Sequence, residues 1–327
     1  MLPPLPPRLV FTKRPTDFAT QLQKLKDHGL TVPDEGRAMR YLKNISYYRL
    51  SGYWPANIDP ATKRFYVGTT FDDLVRAYRF DKKLRILCLE AIERLEIAFR
   101  TQLVQHCTHF TGDTNWYEKT TSFKSVTTQQ QGNARKLIET IIGTPTRPYL
   151  KGELERAKEK LFIADYYAMY HTPVNPPAWM ALEVVTFGTL SRLFELFVDD
   201  TTRGQIAGHF QVALSVFESW IKSIGAIRNK FAHHERFWDL DMRSMNMNTV
   251  TPAPYWLKNP NSAASNTKVY YALSILNFLM VQVSPRSTFG TKVLRIMREH
   301  RIIESDWHTR HMGFPVDWEK ELMWTVI

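Results

Sequence analysis

Cysteine is nearly absent from this 327-residue chain, which has only Cys88 and Cys107. Two cysteines cannot build a disulfide framework, and no Cys-x-x-Cys pair exists to hold zinc. Both are expected to be reduced residues of a cytoplasmic protein. Long apolar runs are missing as well. The greasiest stretch, Tyr271 to Val283, falls short of the roughly 20 residues a membrane span needs. It also carries Asn277 and Gln282, so it reads as a buried helix. The opening MLPPLPPRLV lacks the apolar centre of a signal peptide. Strand-type alternation and internal repeats are not visible. Acidic residues are in deficit, 32 against 43 Lys and Arg, for a formal net charge of +11. That surplus is spread along the chain and makes a polyanion the natural partner, without choosing among RNA, DNA and an anionic membrane.

What is present is helical. Hydrophobic residues make up 44% of the chain, enough for a large core. Thr16 and Asp17 open a helix that Gly29 closes, and Asp34 caps a second through Ala38, Leu42 and Ile45. The Gly-, Pro- and aromatic-rich piece from Tyr47 to Thr70 predicts an irregular connection with at most a short hairpin. Thr70 then caps the strongest apolar periodicity, which runs to about His106 and predicts one bent helix or two. Residues 111–134, polar and rich in Thr and Gln, predict a loop. Helices follow at about 135–142 and 151–170, then from Trp179 to about Phe197 with Pro177 at its first turn. A short one starts at Thr201. The last lie at about 213–232, 267–283 and 288–300, with a loop containing TPAPYW before the 267–283 helix. The expected fold is an all-α bundle with extra N-terminal helices. Residues 1–69 would form a helical and irregular N-terminal part of a single domain, and residues 70–327 its core, closed by a C-terminal clasp.

The segment SWIKSIGAIRNKFAHHERFWD, residues 219–239, carries the candidate chemistry. Phe217, Ile221, Ile224, Arg228 and Phe231 share one helical sector, so Arg228 falls within an apolar stripe. A guanidinium there needs either a carboxylate, with Glu183 the candidate, or an anion-binding role. An Arg followed after four to six residues by a His resembles the pattern of HEPN ribonucleases. By itself it is weak, because four other pairs match, among them Arg100–His106 and Arg203–His209.

The resemblance extends well beyond that pattern. RNKFAHHERFWD at 228–239 is similar to the RN-x-x-AHH-x-R-x-W stretch of the Abi-like (AbiD/AbiF) abortive-infection family. YLKNISYYRLSGYWP at 41–55 and FDKKLRILCLEAIERLEIAFRTQL at 80–103 resemble further blocks of that family. So do PPAWMALEVVTFGTLSRLF at 176–194 and MGFPVDWEKELMW at 312–324. A cysteine common before the AHH is replaced here by Phe231 and Ala232. The resemblance implies a HEPN-type helical fold, a role in phage defence, and RNA cleavage without metal or other cofactor. It also implies a site formed where two copies meet, hence a homodimer.

In that reading Arg228 and His233 are the catalytic pair, with Asn229, His234 and Glu183 as further site residues. An imidazole near neutral pKa can move the 2′-hydroxyl proton, and Arg228 can clamp phosphate oxygens. The HHE triplet at 233–235 lacks zinc-protease spacing. On an ideal helix Arg228 and His233 lie about 140° apart. Either the helix unwinds near Ala232, or a second copy completes the site. Candidate RNA contacts are Tyr48 and Arg49 in the ring-rich 47–54 segment, Arg94 and Arg100 on the central helix, and Lys230 and Arg236. The Glu96–Arg100 spacing also suits a structural i,i+4 pair. The expected partners are substrate RNA and a restraining structured RNA or protein, with no membrane. The alternatives are a non-catalytic RNA-binding protein and a module that senses a phage product.

Overall fold

A computed structural model describes residue 12 and residues 14–125, 127–144, 151–247, 256–257 and 266–325. The opening MLPPLPPRLV and most of the TPAPYW loop lie outside them. Among the described residues every extended element is a helix, and β-structure is limited to isolated bridges. The fold is an all-α helical bundle. The chain forms two compact units, Met1–Phe80 and Asp81–Ile327.

In the first unit, α1 (Phe18–Asp27) starts where the Asp17 carboxylate accepts the Thr20 N–H at 2.7 Å. Gly29 supplies the left-handed turn after it, at φ 92°. Asp34 caps α2 (Glu35–Ile45) through the Arg37 N–H. α3 (Tyr47–Ser51) is a short helix inside the segment expected to be irregular. The short hairpin contracts to one antiparallel bridge, Ile58 to Phe65. Thr70 and Asp73 form a reciprocal capping box at the start of α4 (Phe71–Thr111), one continuous helix. Leu22, Leu25, Ala38, Leu42, Leu50, Phe65, Phe71 and Leu74 make this unit's core.

The second unit takes up α4 from Asp81 onward. Residues 112–125 fold into two short 3-10 turns, Trp116–Glu118 and Thr120–Ser122. Trp116 and Tyr117 are fully buried, and the Tyr117 hydroxyl donates to the Pro176 carbonyl at 2.6 Å. Thr127 caps α5 (Thr128–Ile142), which begins earlier than its apolar residues suggest. The expected 151–170 helix is two, α6 (Glu153–Arg156) and α7 (Leu161–Met169). The expected Trp179–Phe197 helix also divides, into α8 (Ala178–Ala181) and α9 (Phe187–Leu196). The break is held by Glu153, whose Oε1 accepts the Thr186 N–H at 3.3 Å and the Thr189 hydroxyl at 3.1 Å. α10 (Asp200–His209) leads to α11 (Leu214–Ala232), α12 (Val269–Val283), α13 (Phe289–Glu299), α14 (Asp306–His311) and α15 (Leu322–Thr325).

Phe99 of α4 centres the core between Phe187 and Phe194 of α9 and Phe217 of α11, with ring centroids 5.5–6.2 Å apart. α12 is buried along Val269–Met280. Residues 312–324 cover it: Phe314, Trp318 and Trp324 surround Tyr270, and the Asn277 amide donates to the Met323 carbonyl.

Candidate functional site

α11 positions the site because one face of it is locked in the core. Val216, Phe217, Trp220, Ile221, Ile224, Ile227 and Phe231 are all buried. Gly225 permits close approach to α9, since a Cβ there would stand 2.9 Å from a ring carbon of Phe187. Arg228 lies at the margin of this face and is half-buried, less deeply than its place in the apolar stripe suggested.

The helix stops at Ala232, and His233 is its C-cap. The His233 N–H donates to the Asn229 carbonyl at 3.1 Å and the His234 N–H to the Phe231 carbonyl at 2.9 Å. The Glu235 N–H reaches back to the Lys230 carbonyl at 2.9 Å. This is a Schellman ending, with His234 at φ 58° in the left-handed position that glycine usually fills. The 140° separation on an ideal helix therefore does not carry past Ala232, and both imidazoles sit on the reversing turn.

Asp81 fixes the chain that leaves this turn. Its buried carboxylate accepts the N–H groups of Phe237 and Trp238 at 2.8 and 2.9 Å, and its other oxygen stands 3.1 Å from Nε of buried Arg85. Phe231 and Phe237 close the turn edge to face, with centroids 4.8 Å apart.

Six of the predicted residues thus share one helix end and its turn: Arg228, Asn229, Lys230, His233, His234 and Arg236. The side chains of Arg228, Asn229 and His233 make no hydrogen bond or ion pair with any described residue. Asn229, His233 and His234 are exposed. Lys230 is paired with Glu235 at 2.7 Å, and Arg236 lies 3.5 Å from Asp239. Burial raises the Asp239 carboxyl above its ordinary range, and the Arg236 charge offsets part of that.

The remaining predicted residues lie elsewhere. Glu183 meets Arg100 at 3.6 Å rather than Arg228, and Arg100 also holds Glu96 at 2.9 Å. Arg100 is buried. It is thus committed to structure, as its i,i+4 spacing allowed. Arg94 is exposed and pairs with Glu90 at 3.2 Å. In the first unit Tyr53 is buried and Tyr47 packs on Trp54, which leaves Tyr48 as the exposed ring of the 47–54 segment, beside half-buried Arg49.

Residues 40–239 match the family described as Abi-like protein. The chain belongs to that family. No curated protein and no solved structure matches it. Membership points to abortive infection, a form of phage defence. The matched span of this Abi-like protein includes Asp81, Arg85 and the whole α11 ending, and it stops before α12. No helix among the described residues is long and apolar enough to cross a membrane. Cys88 and Cys107 are buried, and desolvation pushes both thiols well up, so neither offers a ready thiolate.

Sequence reasoning passed over Asp81, Arg85 and Glu153. The first two had a signal: an Asp and an Arg four residues apart inside an apolar stripe, the same anomaly that drew attention to Arg228. Glu153 had none, because the helix end it caps lies far along the chain.

Proposed function

We propose that this Abi-like protein is a HEPN-type endoribonuclease of phage defence, with Arg228 and His233 at the reacting phosphate. One observation carries the reading: a half-buried guanidinium without an acidic partner among the described residues, followed by two exposed imidazoles on one tight turn. The buried arginines differ, since Arg85, Arg100 and Arg203 each face carboxylates. A half-buried Arg left unmatched at the edge of the core suits a site that receives an anion from outside.

The reaction needs no nucleophile from the protein. The His233 imidazole takes the 2′-hydroxyl proton, and the freed oxygen attacks the adjacent phosphorus. Charge grows on the non-bridging oxygens, where the forked Arg228 guanidinium stabilises it. The 5′-oxygen departs with a proton from a second imidazole, leaving a 2′,3′-cyclic phosphate and a 5′-hydroxyl. Two copies meeting through the α11 ends would supply both imidazoles, as an isologous dimer does. The net charge of +11 supports a structured RNA as the restraining partner.

The test is cleavage of mixed RNA in EDTA. Wild type is expected to cut, to leave cyclic phosphate ends, and to spare all-deoxy strands. Arg228→Ala and His233→Ala are each expected to lose about 10²- to 10⁴-fold in rate while RNA binding persists. Equal cutting by the variants, or cutting of all-deoxy strands, overturns the proposal.

A further inference from the structure

The second unit holds a basic pocket outside the α11 ending. It lies between α4 and the start of α13, and its volume is about 90 Å³. Its lining includes three cationic side chains, Arg94, Arg286 and Lys292, and one carboxylate, Glu90. Glu90 is matched by Arg94 at 3.2 Å, so two positive charges remain without an acidic partner among the described residues. The hydroxyls of Ser284 and Thr288, also in the lining, have no hydrogen-bond partner among those residues. Thr288 is the N-cap of α13, an eleven-residue helix whose first amide, that of Phe289, donates to the Ser287 hydroxyl at 3.3 Å.

Each feature selects for the same ligand. Unpaired Arg and Lys attract an anion, the two hydroxyls can donate to it, and the start of α13 adds a partial positive charge. Size narrows the choice. Pockets that enclose a whole small molecule run to roughly 300 Å³ or more, whereas this one has room for a single tetrahedral oxyanion and a few waters. We infer that it binds one phosphate group, through Arg286, Lys292 and the hydroxyls of Ser284 and Thr288. The group can belong to an RNA strand or be a free phosphate, and the binding does not depend on turnover at Arg228.

The test uses the full chain and three ligands: inorganic phosphate, and a 2′-O-methyl RNA oligomer with either a 5′-phosphate or a 5′-hydroxyl. The 2′-O-methyl groups remove cleavage from the readout, so a failed ribonuclease assay leaves this result unaffected. Phosphate is expected to raise the melting temperature beyond chloride of equal ionic strength. Lys292→Ala and Arg286→Ala should each weaken binding about tenfold or more, the loss of one charged hydrogen bond. Lys292→Arg should retain binding, and Glu90→Gln, which removes the only carboxylate in the lining, should tighten it. Preference for the 5′-phosphorylated oligomer assigns the pocket to a strand end. Equal binding of both oligomers, sensitive to Lys292→Ala, assigns it to the backbone, and a response to inorganic phosphate alone assigns it to a free ion. The inference is overturned if chloride matches phosphate, or if the two alanine variants bind all three ligands as wild type does.

Discussion

Replacing Asp81 tests how the α11 ending is held. The carboxylate is fully buried and accepts two backbone N–H groups at 2.8 and 2.9 Å while facing Arg85 at 3.1 Å. Asp81→Ala leaves the Arg85 charge buried without its partner, which typically costs about 3–5 kcal/mol. It also orphans the Phe237 and Trp238 amides, at about 1–3 kcal/mol each where water cannot reach them. These effects overlap, so the expected loss is about 4–6 kcal/mol, or on the order of 10 °C in melting temperature for a unit of this size. The double variant Asp81→Leu/Arg85→Met removes the stranded charge but not the stranded amides. It should recover part of the loss, roughly half, and no more. The assay is urea unfolding of wild type, Asp81→Ala and the double variant. A loss below about 1 kcal/mol for Asp81→Ala, or full recovery in the double variant, refutes the claim that Asp81 anchors the chain after His234.

Two further predictions concern histidines. His308 lies against Trp238 and Trp307, and burial, with a smaller contribution from the His311 charge, pushes its pKa down to about 4 from an ordinary 6.5. The unfolded chain therefore takes up this proton before the folded one, so stability is full above pH 6.5 and falls as pH drops towards 4. At about 1.4 kcal/mol per pH unit the loss is about 2–3 kcal/mol. Urea midpoints at pH 7 and 4.5 should converge more in His308→Gln than in wild type, and an unchanged pH dependence would contradict the assignment. His234→Gly relieves a left-handed residue and should gain about 1 kcal/mol. It should also leave RNA cleavage intact, since that is assigned to His233. Lower stability sinks the backbone argument, and lost cleavage moves the chemistry to His234.

Local chemistry made the helix starts legible. Asp17, Asp34 and Thr70 cap where short polar side chains precede apolar periodicity, and the structure places all three caps there. Legibility failed where apolar periodicity hid a cap or a distant residue contributes. The apolar run from Trp179 to Phe197 has a single period, yet it divides at Thr186, which caps α9 through the Thr189 N–H, with Glu153 of another helix as a second acceptor. Thr127 starts α5 ahead of its first buried residue, Ala134, so the polar first turns read as loop. At the α11 ending, sequence grouped the residues by proximity in the chain. It could not say that the helix stops at Ala232, because the stop depends on a left-handed His234 and on Asp81, more than a hundred residues earlier.

The cover over α12 has a consequence for the order of synthesis. Tyr270 and Asn277 are made well before Phe314, Trp318, Met323 and Trp324, the residues that enclose them. Until those emerge from the ribosome, α12 presents a wet apolar flank, a state prone to sticking to other chains. The second unit therefore completes its interior only as residues 312–324 arrive, and a chain truncated before Met312 should collect in the insoluble fraction.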